Sequence, residues 1–407
     1  MKIVIAPDSF KESLPAAEVA EALAAGVLEA MPDARIDLCP MADGGEGTVE
    51  AMVAATAGEL RTADVFDPLG APIRAKFGLL GEGGGAGLPG EVGLSAAVGL
   101  ASGEGRAAAD RSGGLTAVIE MAAASGLALV SPARRDPLRT TTFGTGQLIL
   151  AALDAGARQI VLGIGGSATV DGGCGCAQAL GVVFTDNAGE LCRCGMGGGD
   201  VGRVAGIDAS GREPRLAETR ICVACDVTNP LTGPNGAARV YAPQKGATSE
   251  VIEQIEANLA HLAEMIRVRL GRDVETISGA GAAGGLGAGL VAFADATLEP
   301  GVDIVAQAVG LGRRLNGAEL CLTGEGRFDA QSSAGKTAVG VAKLARAAGV
   351  PVICIPGSAE PDAPHELFAA VSPLVGGEIT SAKAMASARA LLCRRAGEAV
   401  RKFLATR

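Results

Sequence analysis

A chain of 407 residues is long enough for two or three domains, each with its own core. Its net charge of −10 and pI near 5.0 argue against a polyanionic partner such as DNA or an acidic membrane face. With aromatics at 2% and no Trp, it also lacks the stacking platforms that single-strand binders use.

The start, Met1-Lys2-Ile3-Val4-Ile5-Ala6-Pro7-Asp8, holds no apolar stretch long enough for a signal peptide, and no later run reaches a membrane span. A cytoplasmic location is expected. Residues 2–5 read as a strand, and Ser13 reads as a helix cap with Pro15 in the first turn. A second strand over 34–38 and a helix over 47–57 complete the beginning of a parallel, layered sheet. From 59 to about 100 the pattern turns to short strands and turns, with Asp67-Pro68-Leu69-Gly70 as turn chemistry and the glycine-rich 81–90 tract as a hairpin tip or loop. Strands follow over 159–162 and 221–224. A long helix from Thr248 to about Leu270 sets Val251, Ile252, Ile255, Leu259, Leu262 and Ile266 on one face. Beyond the glycine cluster 279–289, strict alternation resumes: helix 302–315, strand 319–322, helix 337–348, strand 352–355 and a last helix from about Ser381. The fold class is therefore α/β. The simplest architecture is one doubly wound parallel sheet built from both chain ends, residues 1–62 and 287–407, with a mixed α/β domain of residues 63–286 inserted between them.

The ten cysteines read as small buried residues in a reducing compartment. Cys174 with Cys176 and Cys192 with Cys194 are C-x-C pairs, tighter than usual zinc spacing, and His261 and His365 stand far away. With two histidines in all, mechanisms that need a His base have little support. The end of "LTGEGRFDAQSSAGKT", residues 322–337, imitates a P-loop, but Ala330 replaces its first glycine and the preceding strand stops well short.

Ligands of open α/β sheets bind beyond the carboxyl ends of strands, so the residues that follow each apolar run deserve a census. They are Asp8, Ser9 and Lys11; Asp43, Gly44, Gly45 and Glu46; Gly165, Gly166, Ser167, Thr169 and Asp171; Asp226, Asn229 and, further on, Lys245; and Glu325, Arg327, Asp329 and Lys336. Each acid alone has a bland explanation as a cap or a solvated loop charge. Five acid-bearing, glycine-flanked strand ends together suit phosphoryl transfer, which needs carboxylates for metal ions, N–H groups and Lys for phosphates, and a base for the acceptor hydroxyl. The clusters 165–173 and 281–289 each precede an expected helix, so Gly165, Gly166, Gly284 and Gly285 could present N–H groups to an anion.

Eight motifs, in order over nearly the whole chain, resemble one family. They are residues 6–14 (APDSFKESL), 40–48 (PMADGGEGT), 140–146 (TTTFGTG), 163–169 (GIGGSAT), 224–231 (ACDVTNPL), 243–247 (PQKGA), 281–287 (GAAGGLG) and 323–327 (TGEGR). Together they resemble the type I glycerate kinases of bacteria. The resemblance implies ATP- and Mg²⁺-dependent phosphorylation of D-glycerate, in most such enzymes to 2-phosphoglycerate. It also implies a flavodoxin-like domain from both chain ends, an inserted domain likened to a restriction-endonuclease fold, and an active site in the cleft between them. Two departures stand out: Val170 where the family usually has Asn, and Ala334 where it commonly has His. Under this reading Asp226, Asp171 and Glu325 are candidates for metal or acceptor-hydroxyl base, and Lys11, Arg327 and Lys336 for carboxylate and phosphate charge. Asp8, Asp43, Glu46 and Asp329 form the next circle, with Ser9 and Asn229 beside them; Gly44, Gly45, Gly165, Gly166, Ser167, Thr169, Gly284 and Gly285 form the preferred phosphate cradle. The partners are glycerate and ATP, with the oligomeric state left open, a homodimer included. The rivals are another nucleotide-dependent enzyme, a dehydrogenase or P-loop hydrolase, which lacks its glycine fingerprint here, and a two-lobed sensor that closes on a small acid without turnover.

Overall fold

The computed structural model describes residues 1–81, 114–329, 336–377 and 379–406. Most of the 81–90 tract, Ala330 and Ala334 fall outside these residues. From the N-terminus run β1 (Lys2–Ile5), α1 (Ala16–Ala30), β2 (Arg35–Leu38) and α2 (Thr48–Thr56). The chain then forms β3 (Glu59–Phe66), β4 (Pro72–Leu79), β5 (Leu115–Glu120), α3 (Ala122–Ser125), α4 (Phe143–Asp154) and β6 (Ala157–Gly163). After α5 (Cys174–Ala179) come β7 (Val183–Thr185), β8 (Gly206–Asp208) and β9 (Arg220–Ala224). Helices α6 (Ala237–Tyr241), α7 (Ser249–Leu270) and α8 (Ala282–Ala294) lead to β10 (Thr297–Glu299), α9 (Gly301–Ala308) and α10 (Leu311–Leu315). The rest consists of β11 (Leu320–Thr323), β12 (Arg327–Phe328), α11 (Thr337–Ala347), β13 (Val352–Cys354), β14 (Ser358–Ala359), β15 (Ala370–Val371), α12 (Ser381–Ala386) and α13 (Ala388–Ala405).

One sheet has the order β15-β13-β11-β1-β2 with every pair parallel. Counted along the chain this is 2-1-3-4-5, the doubly wound order of flavodoxin-like sheets, with the winding reversing between β1 and β11. A second sheet runs β10-β9-β6-β5-β4-β3, parallel through its first four strands and ending in the antiparallel pair β4 and β3. Strand periodicity decides which faces are covered. Ile3, Ile5, Leu320 and Leu322 turn toward α1 and α13, packing with Leu23, Val27, Leu392 and Val400. Val4 and Cys321 turn the other way, into a cluster with Val49 and Met52 of α2 and Val302 and Val305 of α9. Val118, Val161 and Cys222 of the second sheet belong to that same cluster, so α2 and α9 fill the space between the sheets and serve both. Ile119, Ile160, Leu162 and Val223 face outward onto α4 and α8.

Local expectations hold where local chemistry sets them. Thr248 caps α7 by accepting from Val251 N–H at 3.4 Å. Ser13 is a correction: its hydroxyl donates to the Met385 carbonyl at 3.1 Å, and Pro15 occupies the cap position of α1. The helix expected over 302–315 divides at Gly310, whose φ of 68° is left-handed. All ten cysteines are free thiols. Among the described residues no helix is long and apolar enough to cross a membrane.

Helix α1 meets α13 through Gly26, where a Cβ would stand 1.9 Å from the Cys393 carbonyl oxygen. Gly26→Ala should therefore destabilise the fold by about 1–3 kcal/mol in denaturant unfolding, although Ala gains about 1 kcal/mol of helix propensity. A neutral or stabilising result would contradict the α1 and α13 packing.

Candidate active site

The pairing of β1 with β11 continues past the strands. Ala6 N–H donates to the Leu322 carbonyl and Asp8 N–H to that of Gly324, both at 2.8 Å, while Thr323 Oγ1 donates to the Ala6 carbonyl at 2.8 Å. Glycine is required where the neighbouring strand ends press in, because a Cβ on Gly324 would come within 2.3 Å of the Ile355 carbonyl oxygen. Above this seam, at the point where the winding reverses, lies a cavity of about 670 Å³. Asp8, Ser9, Lys11, Asp43, Glu325, Arg327 and Lys336 line it, with Leu374, Val375 and Met385 on its outer wall. The crevice at the switch point is where such sheets bind ligands.

The loop after β2 brings the second sheet to the same place. Asp43 Oδ1 accepts from Gly45 N–H at 3.0 Å, and Gly44, with φ of 90°, lies so close to β9 that a Cβ would stand 2.5 Å from that of Ala224. Asp226, just past β9, accepts from Gly301 N–H at 2.8 Å. The three acids repel one another. Burial pushes the Asp8 carboxyl up to about 6, and Asp43 adds to this, against hydrogen bonds from Thr337 and Ser9. Asp226 is also pushed up to about 6, first by desolvation and then by Asp43, Asp303 and Asp8, while the Gly301 N–H opposes the shift. Every charged neighbour acting on Asp226 is thus an acid, and hard oxygens with uncompensated charge suit Mg²⁺, which binds through one or two carboxylates plus substrate phosphates. Among the described residues no group of three or more His, Cys, Asp or Glu is placed to hold a metal ion by itself. Cations line the same cavity: Lys336, next to the Thr337 that donates to Asp8, is 3.2 Å from Asp329, and Arg327 is 3.3 Å from Asp329 and 3.5 Å from Glu360. Lys11 is exposed.

The structure does not bring every expected residue here. Asp171 is wholly buried and accepts from Thr142 N–H at 2.8 Å, Thr142 Oγ1 at 2.7 Å, Gly173 N–H at 3.1 Å and Gly175 N–H at 3.2 Å. It ties the 142 and 171–175 loops together and presents no oxygen to the cavity. Gly284 and Gly285 are corrections too: both are buried inside α8 at left-handed φ, and a Cβ on Gly284 would stand 2.0 Å from the Thr169 carbonyl oxygen. Their smallness serves backbone contact, leaving no open cradle. Val170 is fully buried in the cluster around Leu259 and Leu262, which accounts for an apolar residue there. Asn229 is engaged by Tyr241 Oη and the Asn235 carbonyl, both at 2.7 Å, and Glu46 is exposed. Gly165 and Gly166 are exposed beside the Gly45 backbone, with Ser167 next to them.

Thr337 and Glu120, outside the expected set, take part, as does Lys245 of the strand-end census. Thr337 Oγ1 donates to Asp8 Oδ2. Glu120, at the end of β5, accepts from Val49 N–H at 2.9 Å and so caps α2 from the other sheet; burial pushes its carboxyl up to about 7. It ends an apolar run, so the strand-end census would have found it had β5 been counted. Lys245 is buried behind Ser167.

A doubly wound sheet whose switch-point cavity is lined by both acids and cations suits an enzyme that handles a charged cosubstrate, as a kinase does. Residues 3–404 match the glycerate kinase family, and the chain belongs to that family. It is 49% identical to the glycerate 2-kinase of Escherichia coli (strain K12) over 89% of this chain and 86% of that protein. It is 48% identical to the glycerate kinase of Bacillus subtilis (strain 168) over the same shares. A crystal structure from Salmonella typhimurium LT2, provisionally assigned as a glycerate kinase 2, superposes with a TM-score of 0.85 at 44% identity, covering 100% of this chain and 99% of that one. The chain is thus a kinase, a transferase for which an ATP donor is implied.

The raised Asp226 carboxyl has a stability consequence. Its folded value near 6 exceeds the ordinary 3.8, so the penalty is small at pH 4, grows as pH rises toward 6 and is full above that. Asp226→Asn keeps the acceptor for Gly301 and removes the charge. Because solvent reaches this carboxyl and screens the repulsion, the thermal midpoint relative to wild type should rise only slightly at pH 8 and by less at pH 4; an equal shift at both would contradict this origin.

Proposed function

We propose that the chain transfers the γ-phosphoryl group of ATP to the C2 hydroxyl of D-glycerate, giving 2-phosphoglycerate rather than 3-phosphoglycerate, in the cytoplasm. The observation that carries this reading is the meeting of Asp8, Asp43 and Asp226, from the carboxyl ends of both sheets, beside a cavity that Lys11, Arg327 and Lys336 also line. The division into a flavodoxin-like domain of both chain ends and an inserted mixed α/β domain, likened to a restriction-endonuclease fold, belongs to the same reading. It is supported by sheet membership: β1, β2, β11, β13 and β15 share one sheet and β3, β4, β5, β6, β9 and β10 the other.

In this mechanism the cavity takes the nucleotide, and Lys11, Arg327 and Lys336 answer its triphosphate charge. Asp8 and Asp43, which act on each other, would hold Mg²⁺ together with the substrate phosphates, and the ion would supply neutralisation of charge on the triphosphate. Asp226 receives the proton of the acceptor hydroxyl as the new O–P bond forms and the bond from Pγ to the ADP oxygen breaks. A carboxyl pushed up to about 6 is a better base near neutral pH than an ordinary one, and solvent reaches it. Asp171 carries no chemical step, because its oxygens are already occupied by four donors.

Purified protein incubated with ATP, Mg²⁺ and D-glycerate should release ADP. In proton-coupled phosphorus NMR the product should give a doublet, from the single C2 hydrogen of 2-phosphoglycerate; a triplet would mark transfer to the CH₂OH group. Glycerate binding without ADP release would replace the kinase reading with that of a sensor. Asp226→Asn should lower kcat by about 10²–10⁴ with the fold intact by circular dichroism, and near-normal turnover would remove it as the base.

A further inference from the structure

Lys245 is 1% exposed, the only Lys or Arg among the described residues that is buried. Its Nζ donates to Ser167 Oγ and to the Thr169 carbonyl, each at 2.7 Å. Burial pushes this ammonium down to about 7 while Asp171 opposes the shift, so the amine stands where solvation is poor and a bound anion would favour its charged form. A lysine that served packing alone would be replaced at little cost by an apolar side chain. Directly in front of it, Gly165 and Gly166 are exposed, Gly166 has a left-handed φ of 72°, and the N–H groups of Gly165, Gly166 and Ser167 donate to no described residue. Successive free N–H groups around a left-handed glycine form an anion-binding concavity. Because Nζ donates to Ser167 Oγ, the Ser167 proton is left to point elsewhere. This turn lies against the Gly44 and Gly45 backbone, whereas Asp43 of that loop lines the nucleotide cavity.

Resting on the proposed reaction, we propose that the Gly165-Gly166-Ser167 turn, with Lys245 as its buried positioning residue, is the subsite for the carboxylate of the hydroxy acid. Charge selects this anion over a triphosphate. One buried ammonium and a few N–H dipoles match a single negative charge, while the exposed Lys11 and Arg327, with half-buried Lys336, stand in the cavity lined by Asp43. The acceptor hydroxyl, one carbon from that carboxylate, would then be held near Asp226.

The test is steady-state kinetics of Lys245→Met and, separately, Ser167→Ala, with thermal midpoints measured alongside. Lys245→Met should raise KM for D-glycerate at least 10-fold and leave KM for ATP within about 2-fold of wild type. Ser167→Ala should raise KM for glycerate about 3- to 10-fold, which keeps the test available if the first variant does not fold. A rise in KM for ATP instead would assign the turn to the nucleotide and overturn the proposal. So would unchanged constants with a lowered midpoint, the signature of a structural lysine. Absence of ADP release from wild type would instead refute the reaction, and isothermal titration of glycerate against wild type and Ser167→Ala would then still report on the subsite.

Discussion

The arrangement depends on one layer of helices being buried twice. Helices α2 and α9 contribute Val49, Met52, Val302 and Val305 to a single cluster that includes Val4 of the first sheet and Val118, Val161 and Cys222 of the second. A helix with apolar side chains on both faces has to be covered on both. Two sheets covering the same helices have their strand directions linked through them. The loop before α2 carries Asp43, and the N-terminus of α9 supplies the Gly301 N–H that holds Asp226. The packing of the core thus delivers acids from two sheets to one place.

That place is unfavourable for the free protein. Asp8 is pushed up by burial and by Asp43, and Asp226 by partial desolvation and by Asp43, Asp303 and Asp8, so near neutral pH the fold keeps repelling carboxylates together. Strained, like-charged sites of this kind are tolerated where a ligand later supplies the missing charge. Of the cations that line the cavity, Arg327 and Lys336 are engaged with Asp329 and Glu360. A cavity lined by both acids and cations suits a bound species that carries both signs, as a metal nucleotide does.

Much of the scaffold was legible because it is set locally. Apolar runs of four or five residues, Thr248 before an amphipathic stretch and glycine after strand ends all act over a few residues, and β1, β2, α7, β11 and β13 stand close to where such signals put them. The site was legible only in part. Asp171 and Asp226 look alike in sequence, each following a buried strand among small residues. What separates them is distant: Thr142 reaches across to occupy Asp171, and Gly301 leaves one oxygen of Asp226 available. Gly284 and Gly285 misled for a similar reason. A glycine that clears space for a carbonyl, as Gly284 does for Thr169, cannot be told from one that offers its N–H to an anion until the partner strand is placed. The burial of Lys245 was invisible, since lysine is among the residues least often found inside.

The shared layer also limits how such an enzyme exclude water during transfer. Rocking the two sheets apart as rigid lobes would uncover Val4, Met52, Val118, Val161 and Val305 together. Exposing each fully buried side chain of this size costs about 1.5–3 kcal/mol, so a wide opening of the whole molecule would consume a stability that in folded domains is about 5–15 kcal/mol. Movement that leaves the cluster intact is far less costly. The outer wall of the cavity, with Leu374, Val375 and Met385, belongs to the segment before and within α12, apart from that central cluster. Movement beside the cavity is therefore least costly in this wall and in the exposed residues after β1, while Asp43 and Asp226 stay held by the loops between the two sheets.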